Sequence, residues 1–224
     1  MGAIFRREVR SYFTSPIGYI FLAAFYAYSG IMFANYSLES GYTRLDSVFS
    51  ALLIIIIVLI PVLTMRTISE EKRTKTDQCL LTAPVGLGSI VVGKFLAAFL
   101  IYIIAIAITG VFAVVVSAFG TPDWNVVVGN IVALALVGGA YIAIGIFCSS
   151  FTENQIVAAV ISFIALIFVS FLSTIGNLLP FEWLTTVCEK VSFGERYYSF
   201  TYGLFDFSNV VFLSLIHISE PTRH

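Results

Sequence analysis

Ionisable side chains are scarce in this chain, and the places where they are missing indicate its class. Asp, Glu, Lys and Arg make up 11% of the 224 residues, whereas 59% are hydrophobic. The mean hydropathy is +0.98. A single soluble core cannot bury this much apolar material, so we expect lipid to solvate much of the chain. The formal net charge of -1 excludes a strongly basic nucleic-acid-binding protein.

Cysteine and histidine are too few and too scattered to indicate a disulfide framework or a metal site. The three cysteines are Cys79, Cys148 and Cys188, in segments that we expect to lie at different depths. Both histidines, His217 and His224, belong to the C-terminal tail. We therefore predict ordinary thiols and no metal centre.

Catalytic motifs are missing as well. The sequence has no nucleophile-elbow pattern and no zinc-protease pattern. Residues 88–95 have the glycine and lysine spacing of a phosphate-binding loop, but Phe95 stands where a magnesium-binding Ser or Thr is needed. The segment also leads into an apolar helix instead of following a buried strand. We predict that the chain is not an enzyme by itself and binds no cofactor.

Five stretches that are long enough to cross a bilayer contain no ionisable residue. An apolar helix needs about 20 residues to cross the hydrocarbon layer. The stretches are residues 16–36, 47–65, 95–119, 126–148 and 156–175, and a sixth begins near Asn209 and is cut short. We therefore predict an all-α, polytopic integral membrane protein. Ion-coupled transporters usually need embedded charges, so their absence from these stretches argues against ion-driven transport.

The basic residues flank these stretches unevenly, which predicts the orientation. Three arginines precede the first stretch and five Lys or Arg residues lie in residues 66–94, whereas the first loop contains Arg44 alone. Short loops rich in Lys and Arg stay in the cytoplasm. The N-terminus and residues 66–94 are therefore predicted to be cytoplasmic, and residues 176–208 external.

Residues 1–15 have the pattern of a short amphipathic helix. Apolar residues recur there at helical spacing, namely Phe5, Val9, Tyr12 and Phe13, and the other faces carry Arg6, Arg7 and Arg10. We predict a helix in the membrane interface. Ser15 and Pro16 then indicate a stop and a restart, with Ser as the cap and Pro at the first helical position. A basic flank that only sets the topology is the alternative.

Small residues on the fourth stretch predict close helix packing. They are Gly138, Gly139, Ala140, Ala143 and Gly145. Such residues let neighbouring backbones approach each other. Residues 176–208, in contrast, combine many aromatic side chains with charges, which favours short interfacial or re-entrant helices over a buried span.

Residues 66–85 combine mixed charge with two adjacent leucines and a stop at Pro84. Thr67 and Glu70 have the spacing of a capping box, so we expect a short helix to begin there and to carry the mixed charge through Lys75. A charged helix followed by two exposed leucines would suit docking of a soluble partner. An ordinary solvated loop is the alternative.

Three segments, residues 7–16, 66–85 and 141–155, carry a specific family similarity. They resemble the permease subunits of type 2 ABC exporters, in the gliding-motility-associated branch that is related to copper-maturation permeases, and the resemblance extends to about Leu213. It implies a six-helix subunit with a cytoplasmic N-terminus in the bacterial cytoplasmic (inner) membrane. The branch does not define a cargo, and no substrate-binding residue is predicted.

The resemblance also implies partners. Such a permease pairs with a second permease copy or a homologue and with separate ATPase subunits, which bind the ATP and magnesium. The loop between the second and third helices carries the coupling helix that contacts the ATPase. The coupling residues implied here are Glu70, Glu71, Lys72, Arg73, Thr76, Leu80, Leu81 and Pro84.

The C-terminus departs from the family pattern. The apolar run 210–216 has only about half the length of a span. We therefore expect a truncated sixth helix and a non-native tail at residues 217–224. The predicted organisation is an interfacial helix at 1–15, a permease domain at 16–216 and this tail.

Two functions of other classes stay open from the residues alone. One is an ATP-independent channel or carrier, which a proton- or sodium-driven flux without any ATPase would favour. The other is a non-transporting membrane scaffold, which ATPase binding without cargo movement would favour.

Overall fold

The chain folds into helices in every part that the structure, a computed structural model, describes: residues 2–38, 45–75, 86–120 and 123–171. The helices in these ranges are α1 (Gly2–Thr14), α2 (Pro16–Phe33), α3 (Asp46–Thr64), α4 (Ser69–Thr74), α5 (Leu87–Ser117), α6 (Trp124–Ser149) and α7 (Gln155–Ser170). A π-helical segment, Ala34–Leu38, continues α2. The predicted all-α membrane architecture is confirmed.

Four helical segments are apolar and long enough to cross a bilayer. They are Pro16–Ser37, Ser47–Thr74, Gly88–Ser117 and Trp124–Ser149. The fifth predicted stretch forms α7, which has 16 residues within the described range. The third begins earlier than predicted, because α5 starts at Leu87 and includes Lys94. Residues 87–94 are therefore helical and are not part of a loop, and the glycines of the apparent phosphate-binding motif are helix residues.

Several predicted features lie outside the described residues. They are the external segment 176–208, the truncated sixth helix, the tail 217–224, and the coupling residues Thr76, Leu80, Leu81 and Pro84.

The corner between α1 and α2 confirms the predicted break at Ser15. Ser15 is the N-cap residue of α2 and Pro16 follows at its first position. The capping hydrogen bond is not formed, because the Ser15 hydroxyl turns back to the carbonyl oxygen of Tyr12 at 3.5 Å. The corner is tight: a Cβ on Gly18 would lie 2.7 Å from that same oxygen. Only glycine fits there without a shift of the backbone.

The apolar face of α1 packs on protein. Tyr12 is buried, and Phe5, Val9 and Phe13 pack against the hydrophobic core. The helix contacts both α2 and α5. The amphipathic helix that the sequence predicts is therefore present, but its apolar side is covered by its neighbours.

The small residues of α6 permit close contacts with two neighbouring helices, as the sequence predicts. A Cβ on Gly138 would lie 2.2 Å from the ring of Tyr102 on α5, and one on Gly145 would lie 2.3 Å from the hydroxyl of Thr64 on α3. Both glycines are buried. These contacts place the end of α3, and hence the segment that follows it, against the end of α6.

Candidate functional site

Four residues separate the short helix α4 from the end of α3, and α4 lies within the segment predicted to carry the coupling helix. Glu70 and Glu71 lie in its first turn, and Lys72 and Arg73 in its last turn. This order stabilises the helix, because negative charges near its N-terminus and positive charges near its C-terminus interact favourably with the helix dipole. The helix ends at Thr74, and its C-cap residue Lys75 has a φ of 54°. In that left-handed conformation the chain cannot continue as a helix.

The predicted capping box does not form. The N-cap residue of α4 is Ile68, and no side chain of its own segment caps it. The Thr67 hydroxyl lies 3.3 Å from the hydroxyl of Tyr12. The Glu70 carboxylate accepts a hydrogen bond from Arg66 at 2.6 Å. Both side chains of the expected box are therefore occupied by other partners.

Lys94 of α5 is the buried cation of this region. Its side chain is 2% exposed. The ammonium lies 2.8 Å from the Glu71 carboxylate and 3.3 Å from the Glu8 carboxylate, and it donates to the Thr67 carbonyl oxygen at 2.8 Å. A buried charge is tolerated only when it is paired and hydrogen-bonded. Lys94 therefore ties α1, α4 and α5 together.

Arg7 joins the same two carboxylates from the solvent side. Its guanidinium lies 2.7 Å from Glu8 and 2.7 Å from Glu71, and its side chain is 53% exposed. The hydrogen bond that Arg7 donates to Glu8 and the charges of both carboxylates raise the pKa of Arg7 above its usual value. The two acids thus have one buried and one exposed basic partner. We refer to Arg7, Glu8, Glu71 and Lys94 as the charge cluster.

Tyr12 attaches α1 to the end of α3. Its hydroxyl donates to the carbonyl oxygen of Leu63 at 3.1 Å. Burial raises the pKa of Tyr12 from 10.0 to about 12, because the anion would lose its hydration. Tyr12 therefore stays neutral even at moderately alkaline pH and acts as a hydrogen-bonding anchor.

The end of α6 contacts the start of α4. The Ser149 hydroxyl accepts hydrogen bonds from the amides of Ile68 and Ser69, each at 3.2 Å. It also donates to the Met65 carbonyl oxygen at 3.2 Å. The Lys72 ammonium donates to the carbonyl oxygen of Ser150. The start of α4 is thus bonded to α6 on one side and to α1 and α5 on the other.

A polar cavity of about 310 Å³ lies between α1, α4 and the start of α5. Three basic and three acidic side chains line it, together with hydroxyl groups: Arg7, Arg66, Lys94, Glu8, Glu70, Glu71, Ser11, Tyr12, Thr67 and Thr74. The six charges pair with one another within hydrogen-bonding distance. Among the described residues, no three His, Cys, Asp or Glu side chains are placed to hold a metal ion. This arrangement suits the mechanical linkage of helices.

The structure brings together part of the predicted site. Glu70, Glu71, Lys72 and Arg73 lie on α4, and Arg7 of α1 pairs with Glu71. The two other predicted arginines of α1, Arg6 and Arg10, are exposed and do not join the charge cluster.

Glu8, Tyr12, Lys94 and Ser149 belong to the site but were not predicted. A signal for two of them was present in the sequence: Glu8 is the only acid in the basic N-terminal segment, and Lys94 directly precedes an apolar stretch. Isolated charges of opposite sign that are taken out of water beside apolar segments favour pairing. Ser149 gave no such signal, because serine is common at helix ends.

The fold and this site define a multi-pass membrane protein with helices linked by a charged element at one end. Residues 3–192 match the family model of the ABC-2 family transporter proteins. The chain belongs to that family. It is the membrane permease subunit of an ABC transporter, and it is not itself catalytic. Comparisons with curated proteins and with solved structures found no match.

Proposed function

We propose that this permease works as an exporter driven by a separate ATPase subunit, which docks on α4 and on residues 76–84 that follow it. The family implies an ABC ATPase as the partner. In this proposal the ATPase binds the ATP and magnesium, and the permease binds no cofactor. A second permease copy or a homologue completes the transporter.

The observation that carries this proposal is the two-sided environment of α4. Its start is buried, with Ser69 fully covered, whereas Arg73, Thr74 and Lys75 are exposed. One end is therefore fixed to the helix bundle, and the other is accessible to a soluble protein. A docking element that transmits force needs both properties, because a loosely held helix would move without moving the bundle.

The orientation is part of the same proposal. The positive-inside rule favours a cytoplasmic position for α1 and α4, which carry arginine and lysine residues. An ATPase that binds cytoplasmic ATP requires α4 on that side. We propose that the N-terminus is cytoplasmic and that the membrane is the bacterial inner membrane. The resemblance of residues 7–16 and 66–85 supports membership of the gliding-motility-associated branch.

Copurification with the ATPase that is encoded beside this permease tests the proposal. We expect a stable complex whose ATP turnover depends on the permease. The double substitution Leu80→Asp and Leu81→Asp should weaken the complex about 30-fold or more, the loss typical of a hot-spot contact, because two carboxylates would be buried without partners.

Phe119→Asp is the matched control, because Phe119 is 79% exposed and follows the far end of α5. It adds the same charged group away from α4 and should leave the complex intact. If the unmodified permease forms no complex and does not change ATP turnover, the proposed function is wrong. If the leucine variant binds as well as the control, the docking role of those two residues is wrong.

A further inference from the structure

The start of α4 receives its cap from another helix. The first amides of a helix have no acceptor within it and need an outside partner. For α4 this partner is the Ser149 hydroxyl, which accepts from the amides of Ile68 and Ser69 at 3.2 Å each. Ser149 is fully buried, so water cannot easily replace it.

In the same region, α4 in turn caps the end of α6. Ser150 is the C-cap residue of α6, and its carbonyl oxygen accepts from the Lys72 ammonium. A cation at the C-terminus of a helix satisfies an orphan carbonyl and favours the helix dipole. Each helix end is therefore capped by a residue of the other helix, although Lys72 and Ser150 are 78 positions apart.

The connection between α6 and α7 is short, so the two helix ends cannot move far apart. Only residues 150–154 separate α6 from α7, and the Asn154 side chain caps α7 by accepting from the Ile156 amide at 2.9 Å. Any displacement of the start of α4 must carry this short turn with it or break the bonds to Ser149 and Ser150. The charge cluster, by contrast, links α4 only to α1 and α5.

We propose that Ser149 is a positioning residue for coupling: it transmits the movement of α4 to the turn between α6 and α7. This inference rests on the proposed docking of an ATPase at α4. The bonds themselves exist without the ATPase, so their role in holding α4 is measurable in the permease alone.

Amide hydrogen exchange of the purified permease measures that role. Ser149→Ala should speed exchange at Ile68 and Ser69 about fivefold or more, the factor that corresponds to a net hydrogen-bond contribution of roughly 1 kcal/mol. Ser150→Ala is the matched control, because the Ser150 hydroxyl donates only to Phe147 of its own helix at 2.6 Å and its carbonyl remains. Equal exchange in the two variants would overturn the proposal.

A fluorescent reporter on the turn measures the transmission. Glu153, which is exposed, is replaced by cysteine in a variant without Cys79 and Cys188; Cys148 is buried and can remain. In the complex with the ATPase, ATP should change the fluorescence of the otherwise unmodified reporter protein and of the Ser150→Ala variant. The Ser149→Ala variant should bind the ATPase but lose most of the change.

The outcomes separate the two proposals. If the reporter protein without further substitution binds no ATPase, the proposed function fails, and with it the transmitting role of Ser149. If the ATPase binds and ATP changes the signal equally in the Ser149→Ala and Ser150→Ala variants, only the role of Ser149 is wrong. A loss confined to Ser149→Ala supports both.

Discussion

At the scale of single residues, the buried charge of Lys94 is the one whose removal should affect stability most. It is almost fully buried between Glu8 and Glu71. The deletion of one partner of a buried ion pair leaves an uncompensated charge, whereas removal of both partners can be nearly neutral. The stability of the region where α1, α4 and α5 meet therefore depends on charge balance more than on any one contact.

Lys94→Met should lower the free energy of unfolding in detergent by roughly 1.5–3 kcal/mol, the loss typical of a hydrogen bond to a charged group, because the partly buried carboxylates of Glu8 and Glu71 lose their buried cation and keep only the exposed Arg7 as a partner. Lys75→Met is the matched control, since Lys75 is exposed, and should change it by less than about 0.5 kcal/mol. Adding Glu71→Gln to Lys94→Met should recover part of the loss, because Arg7 still pairs with Glu8. Equal losses for both lysines would contradict the buried-cation assignment.

Tyr12 predicts a dependence of stability on alkaline pH. Its pKa is raised from 10.0 to about 12 in the folded protein. The neutral form is favoured by folding, so its contribution is fully present below pH 10 and is lost as the pH rises to about 12. A shift of this size corresponds to roughly 2–3 kcal/mol.

The measurement compares the unfolding of the unmodified permease and of Tyr12→Phe between pH 9 and pH 12. Tyr12→Phe should be less stable near pH 9, because it loses the bond to Leu63, but its stability should fall less steeply. The lysines are common to both proteins and cancel in the difference. Parallel curves would show that Tyr12 does not ionise with unfolding.

The sequence predicted which residues are charged at this end of the bundle, but not which of them meet. Thr67 and Glu70 have capping-box spacing, yet their side chains bond to Tyr12 and Arg66. A local pattern cannot show that a residue more than 50 positions away competes for the same hydroxyl. Lys94 was missed for a related reason: hydropathy ends a span at the first charge, whereas pairing lets the helix continue past it.

At the scale of helices, the bounds that depend on local composition were predicted well. The break between α1 and α2 follows from Ser15 and Pro16, and α6 and α3 begin and end within two residues of the predicted stretches. The packing of α1 was not predictable, because an apolar face suits lipid and protein equally well. Only the tertiary structure shows that α5 covers it.

Helix packing in this bundle depends on the lack of a side chain at Gly138. Gly138→Ala should lower the free energy of unfolding by about 1–3 kcal/mol, the usual cost of overpacking, because Tyr102 is held by a hydrogen bond to Leu134 at 2.7 Å. Gly110→Ala is the control: nothing lies within 4 Å of its added Cβ. It should be neutral or stabilising by up to about 1 kcal/mol. Equal effects would exclude a close contact at Gly138.

At the scale of the whole molecule, the proposed orientation can be tested with the cysteines of the chain. Cys79 follows α4 in the sequence and Cys188 lies in the segment predicted to be external. An impermeant thiol reagent applied to intact cells should label Cys188 and should label Cys79 only after the cells are opened. Cys148 is buried and should give little background. The reverse labelling would falsify the orientation.

The charge cluster also sets an order of events during synthesis of the chain. Glu8 and Lys94 are 86 residues apart, and at roughly 5–20 residues per second the ribosome needs about 4–17 s to add the second after the first. Throughout that interval Glu8 has only the exposed Arg7 as a partner, so α1 cannot yet take the position in which Lys94 pairs with Glu8. The helix α1 is therefore made before its partner and docks on α5 only after Lys94 has been added.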